Sequence, residues 1–184
     1  MPKKIVYTKP KFTFACAFAG ILLLLLSTYA QAEAQESNEL FTIYLVRHSE
    51  KQSLESDPPL TKCGVQRSES LSALFEAVPI EALYSTEYKR TQSTALPTSI
   101  AKDLAIQSYE PQALEEIARQ LLHAQQDALV VGHSNTTAVL AGILVGEKMG
   151  SFDESIYNRI YQVVISKDDR RLHILHTAFQ CAER

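Results

Sequence analysis

The 184-residue chain has no internal repeat, no low-complexity tract outside its N-terminal leader, and no Cys/His cluster with metal-ligand spacing. The first two absences leave an ordinary globular domain, and the length fits one such domain with a full hydrophobic core. The third argues against a structural zinc site. Positive charge is also scarce, with 18 Lys+Arg against 21 Asp+Glu and a formal net charge of −3. Nucleic acid is therefore not the expected partner, because phosphate-backbone binding relies on clustered Lys and Arg. A small phosphorylated substrate, needing only local positive charge, stays open.

A long apolar run is missing as well. The leader's run, Phe12 to Leu26, is about 15 residues, short of the roughly 20 that span a bilayer. Lys3, Lys4, Lys9 and Lys11 precede it and Ala30-Gln31-Ala32 follows it, the order of a signal peptide with its cleavage site. The expected organisation is a signal peptide over residues 1–32, a polar flexible lead over 33–40 and one domain over 41–184. Export to the periplasm or the medium follows; a retained N-terminal anchor is the alternative and would be the chain's only expected membrane contact. Two cysteines outlast processing, Cys63 and Cys181. An oxidising compartment permits them one disulfide, and sequence leaves that pairing open.

Within the domain, Phe41 to Arg47 reads as a strand, and its continuous apolar run Ile43 to Val46 indicates burial on both faces. Arg47 and His48 then belong at its carboxyl end, where open α/β sheets place their ligand sites. Thr61 is the expected N-cap of a helix carrying Val65, Leu71, Leu74 and Phe75. Ile80 to Ser85 forms a second strand, followed by a helix from Glu87 that Pro97 should break. A weak strand covers 105–109, and Pro111 sits where a helix start tolerates it. Residues 127–133 repeat the first design, an apolar run ending in His133, with Ser134 or Asn135 capping the next helix. Residues 159–166 and 171–179 alternate around a turn and form a terminal hairpin. Strands alternating with helices predict an α/β/α sandwich on a mostly parallel sheet.

Three strand ends thus carry Arg47-His48, Ser85 with Arg90 beyond it, and His133. On one sheet edge, two guanidiniums and two imidazoles would make a site for a dianion, since arginine's fork matches phosphate oxygens. A histidine whose one ring nitrogen is held by a carbonyl presents the other as a nucleophile. Taken singly, Arg90 could be a surface arginine and His133 an ordinary strand-end histidine. His123 suits a helix end, and His173 and His176 face opposite sides of a strand; all three read as structural.

The set resembles the histidine phosphatase superfamily, with its phosphoglycerate mutase-like fold, over nearly all of the domain. Leu45-Val46-Arg47-His48-Ser49-Glu50 looks like the first-strand signature, with Ser49 where Gly or Ala is commoner. Leu60-Thr61 with Gly64 resembles its Leu-Thr-x-x-Gly element. Tyr84-Ser85-Thr86 with Arg90-Thr91 and Thr94-Ala95 resembles the second-arginine element, with Glu87 where many members have proline. Val130 to Thr136 resembles the last catalytic block. The resemblance implies phosphomonoester hydrolysis through a phosphohistidine on His48, with Arg47, Arg90, His133 and Asn135 on the phosphoryl oxygens. It implies no cofactor and no metal. A Glu or Asp should protonate the leaving oxygen; Glu110 is the first choice, with Glu115, Glu116 and Glu87 behind it. Export favours envelope sugar phosphates or scavenged esters as substrates. A catalytically weak phosphate-binding protein is the alternative reading. A mutase is a third, disfavoured because only 42 residues separate Arg90 from His133.

Overall fold

A computed structural model describes residues 40–53 and 56–181. The expected signal peptide, and all of the polar lead except Leu40, lie outside the described residues. Among the described residues, no helix is long and apolar enough to cross a membrane.

The domain opens with β1 (Phe41–Arg47), then α1 (Lys62–Leu74), β2 (Ala82–Ser85), α2 (Lys89–Lys102), β3 (Ile106–Ser108), α3 (Leu114–Ala124), β4 (Ala128–Gly132), α4 (Thr137–Val145), β5 (Arg159–Ile165) and β6 (Arg170–His176). The six strands form one sheet in the order β3-β2-β4-β1-β5-β6. The pairs β3–β2, β2–β4 and β4–β1 are parallel, and β5 pairs antiparallel with both β1 and β6. This is the expected mostly parallel sheet with a terminal hairpin. Alternate side chains of β1 feed two cores. Ile43 and Leu45 pack with Ile117 and Leu121 of α3 and Leu140 of α4, while Val46 packs with Leu71 and Phe75 at α1 and Ala95 of α2. The result is a three-layer α/β/α sandwich.

Local capping is as expected at α1, where Thr61 Oγ1 accepts from the Gly64 N–H at 3.0 Å. Its buried face differs from the apolar pattern. Leu71 and Phe75 are buried, but Val65 and Leu74 are exposed. Gly64, Ser68 and Ser72 complete the buried stripe instead, because small residues let the helix approach its neighbours closely. A Cβ at Gly64 would lie 2.2 Å from the Glu50 carbonyl oxygen.

Three expectations need correction. Pro97 does not break α2, which runs through it to Lys102. The proline costs about 3 kcal/mol, but Thr91, Thr94, Ala95 and Thr98 are buried on both sides of it, and that packing outweighs the local penalty. Helix α3 begins at Leu114, not at Pro111, because Ala113 N–H turns back to the Glu110 carbonyl at 3.0 Å. Neither Ser134 nor Asn135 caps α4; Thr136 occupies that position and makes no side-chain cap. Its hydroxyl oxygen accepts from the His133 N–H at 2.9 Å, which uses it to hold the strand end.

Cys63 and Cys181 are joined in a disulfide across a sequence separation of 118, with their Cα atoms 5.6 Å apart.

Candidate active site

Parallel pairing brings the strand ends together. Arg47 of β1 lies opposite Gly132 of β4, and Ser85 of β2 lies opposite Val131. His48 N–H then donates to the Gly132 carbonyl at 2.9 Å. The imidazoles of His48 and His133 meet edge-on, with ring centroids 5.5 Å apart. Arg47, His48 and His133 are all buried.

Ring chemistry fixes both tautomers. His48 Nδ1 lies 2.7 Å from the Ser49 carbonyl oxygen. A carbonyl only accepts, so Nδ1 carries the proton and Nε2 keeps a free lone pair. His133 Nδ1 faces Arg90 Nη2 at 3.5 Å, and guanidinium only donates. The His133 proton therefore sits on Nε2, which donates to Thr86 Oγ1 at 3.0 Å. Thr86 Oγ1 in turn meets Thr91 Oγ1 at 2.8 Å, and Thr91 Oγ1 donates to the carbonyl of Thr86 or Tyr88. Thr94 Oγ1 accepts from Ser49 N–H at 2.9 Å, tying the start of α2 to the His48 loop.

An aromatic ring lies against each arginine. The Arg47 guanidinium lies 4.2 Å from the centroid of Tyr157. Its Nη1 donates to the carbonyls of Glu154 and Ile156. Arg90 lies over Tyr88 at 4.3 Å, and its Nη1 is 3.5 Å from Asp57 Oδ1. The buried Nε–H of both arginines has no hydrogen-bond partner among the described residues. Leaving such donors unpaired is costly.

Burial dominates the titration of the two imidazoles. It holds His48 down to about 3, helped by Arg47, His133 and Arg90 and opposed by the Ser49 carbonyl. It holds His133 down to about 4, with Arg90 and Arg47 adding to the effect. Both are neutral at pH 7. Unfolded imidazoles titrate near 6.5, so their contribution to stability is complete above that pH and is lost as pH falls towards 4 and then 3. We expect the urea midpoint to drop between pH 7 and 4.5, and to drop less in His48→Asn. Equal slopes in the two proteins would contradict the buried neutral imidazole.

The structure brings together His48, Arg47, Arg90 and His133. Exposed Asn135 joins Arg90, His133, Tyr88 and Gln112 around an open cleft of about 200 Å³. Glu110 is not part of this group. It is exposed and lines an adjoining cleft of about 310 Å³ with Asp57, Glu87, Tyr88 and Gln112. Glu115 and Glu116 occupy the exposed first turn of α3. Sequence reasoning missed Thr86, Tyr88, Tyr157 and Asp57. Only Thr86 had a signal, as part of the Tyr84-Ser85-Thr86 element. Among the described residues, Glu50, Cys63 and Cys181 form the one grouping close enough for a shared cation, and its two sulfurs are bonded to each other.

Residues 43–120 match the model of the histidine phosphatase superfamily (branch 1). No curated protein matches the chain in sequence. Solved structures match its fold. The α-ribazole phosphatase of Shigella flexneri is 18% identical with a TM-score of 0.64, covering 78% of this chain and 100% of its own. The protein histidine phosphatase SixA, complexed with tungstate, is 14% identical with a TM-score of 0.62, over 74% and 97% of the two chains. A mycobacterial glucosyl-3-phosphoglycerate phosphatase is 10% identical with a TM-score of 0.61, over 76% and 100%. At these identities the likeness establishes the fold.

Proposed function

From its membership of the histidine phosphatase superfamily, we propose that this chain is a phosphomonoesterase that works through a phosphohistidine on His48. The observation that carries the reading is a free His48 Nε2, left by the Nδ1 bond to the Ser49 carbonyl, beside the His133 ring at 5.5 Å and within electrostatic reach of the Arg47 and Arg90 guanidiniums. His48 Nε2 attacks phosphorus, while Arg47 and Arg90 place N–H groups on the phosphoryl oxygens and balance the charge of the transition state. Those donors need no reorganisation at the moment of reaction, since Tyr157, Tyr88 and the 154–156 carbonyls already hold the guanidiniums. His133 and Asn135 complete the phosphate's surroundings. Two guanidiniums supply the positive charge that a divalent cation supplies in other phosphoryl-transfer sites.

SixA was solved with tungstate, a tetrahedral oxyanion like phosphate, and the other two similar structures are phosphatases of small phosphorylated molecules by name. These support a small phosphorylated substrate here. Export is part of the same proposal. It is supported by the leader's order of lysines, apolar run and small-x-small site, and by a disulfide of the kind that oxidising compartments preserve. An envelope sugar phosphate is the substrate class that compartment favours.

The purified mature protein is expected to hydrolyse p-nitrophenyl phosphate in EDTA and to be inhibited by vanadate. Rapid quenching should trap an acid-labile, base-stable phosphoryl group on His48. Absence of turnover with tight phosphate binding would replace the enzyme with a binding protein of the same fold.

A further inference from the structure

We propose that Asp57 is the acid and base of the site, protonating the leaving oxygen and later taking the proton of the hydrolytic water. This rests on the phosphatase reading above. A phosphate ester with a basic leaving group needs such a proton, and the reaction must draw it from a group beside the phosphate pocket.

The nearby carboxylates differ in what they touch. Glu50 is spent on Arg67, which grips both its oxygens at 2.6–2.9 Å. Asp153 is occupied by the backbone and hydroxyl of Ser155. Glu87 and Glu110 are exposed on the adjoining cleft. Asp57 contacts the phosphate-binding machinery itself. Its Oδ1 lies 3.5 Å from Arg90 Nη1 and accepts from the Lys89 N–H at 3.0 Å. The other arm of Arg90 reaches His133 at 3.5 Å. Asp57 is therefore one guanidinium away from the histidine pair.

Its place in the clefts fits the role. The cleft of Arg90, His133 and Asn135 and the cleft of Asp57 and Glu110 share Tyr88, Pro111 and Gln112 as a common wall. A substrate whose phosphoryl group lies against Arg90 and His133 can extend its leaving group along that shared wall towards Asp57. The Asp57 side chain is 35% exposed, so solvent reaches its carboxylate.

Substrate binding loads the proton. In the free enzyme Asp57 is paired with Arg90. A phosphate that takes the N–H groups of Arg90 sets a like charge beside the carboxylate, and one proton on the carboxyl relieves that repulsion. His48 Nε2 then forms a bond to phosphorus as the ester P–O bond breaks. The departing oxygen keeps the bonding pair and takes the proton from Asp57, leaving as an alcohol. In the second half, water attacks phosphorus and gives one proton back to Asp57. The P–N pair returns to Nε2 and phosphate departs.

Leaving-group dependence tests this, with kcat/KM measured on p-nitrophenyl, phenyl and p-methoxyphenyl phosphate. Asp57→Asn should lose less than about 3-fold on the nitrophenyl ester, whose phenolate leaves unaided. It should lose about 100-fold on the two esters with basic leaving groups. An equal loss across the series would make Asp57 a mere support for Arg90 and overturn the assignment. So would no loss at all. A leaving-group-dependent loss in Glu110→Gln, with none in Asp57→Asn, would move the role to Glu110. A wild type that hydrolyses none of the three overturns the phosphatase reading, and this proposal with it.

Discussion

His48→Ala should lower kcat for p-nitrophenyl phosphate by about 10³-fold or more, with the fold intact by circular dichroism. A covalent nucleophile is the part of such a site with no substitute, and removing one typically leaves only what binding and charge stabilisation provide. The geometry explains why His133 cannot take over. Its Nε2 carries the proton donated to Thr86, and its Nδ1 accepts from Arg90. No lone pair on that ring is free for phosphorus. The variant should also fail to trap a phosphoryl group after rapid quenching. Undiminished turnover in His48→Ala would remove the phosphohistidine mechanism altogether.

Reduction of the Cys63–Cys181 disulfide is expected to produce the largest change in stability. The bond closes a loop of 118 residues, for which the chain-entropy model gives about 4–5 kcal/mol. For a domain of this size that corresponds to a fall in Tm of about 10 °C or more. The bond also anchors a tail that reaches the site's supports. Phe179 packs under the Arg67 guanidinium at 4.8 Å, and its carbonyl accepts from Arg67 Nη1 at 3.3 Å. Arg67 in turn grips Glu50, two residues beyond His48. The double variant Cys63→Ser, Cys181→Ser should show the same fall. A melting curve unmoved by reduction, with both thiols titrated as free, would contradict this.

Much of the fold was legible because the chemistry at each strand end clashes with the strand itself. An apolar run that stops at Arg47-His48, and another that stops at His133, must deliver polar groups to an edge, and local pattern suffices to see it. Gly64 and Thr61 were similarly readable as a cap. The misreadings come from interactions that a single-residue rule leaves out, some distant and some only three residues away. Pro97 ends a helix by local rule, but buried threonines on either side of it overrode the rule. Ser134 and Asn135 suit a cap by local rule, yet Thr136 takes that position and its hydroxyl is used to hold the His133 N–H. Asp57 and Tyr157 carried no pattern at all, because they come from loops that return to the site from 33 and 110 residues away, the separations from Arg90 and Arg47. The proximity of Cys63 and Cys181 depended on the same kind of return.

The register of β1 and β4 has an evolutionary consequence. His48 and His133 each follow directly on residues that pair across one parallel ladder, Arg47 with Gly132. Their separation is thus set by the spacing of neighbouring strands, a constant of β-structure. It does not depend on the length of chain that joins them. The Glu110–Ala113 turn beside the open clefts can therefore grow into a cap, or be exchanged for another, without retuning the two imidazoles. Substrate range can drift by insertion in such a scaffold while the reacting pair stays where the sheet puts it.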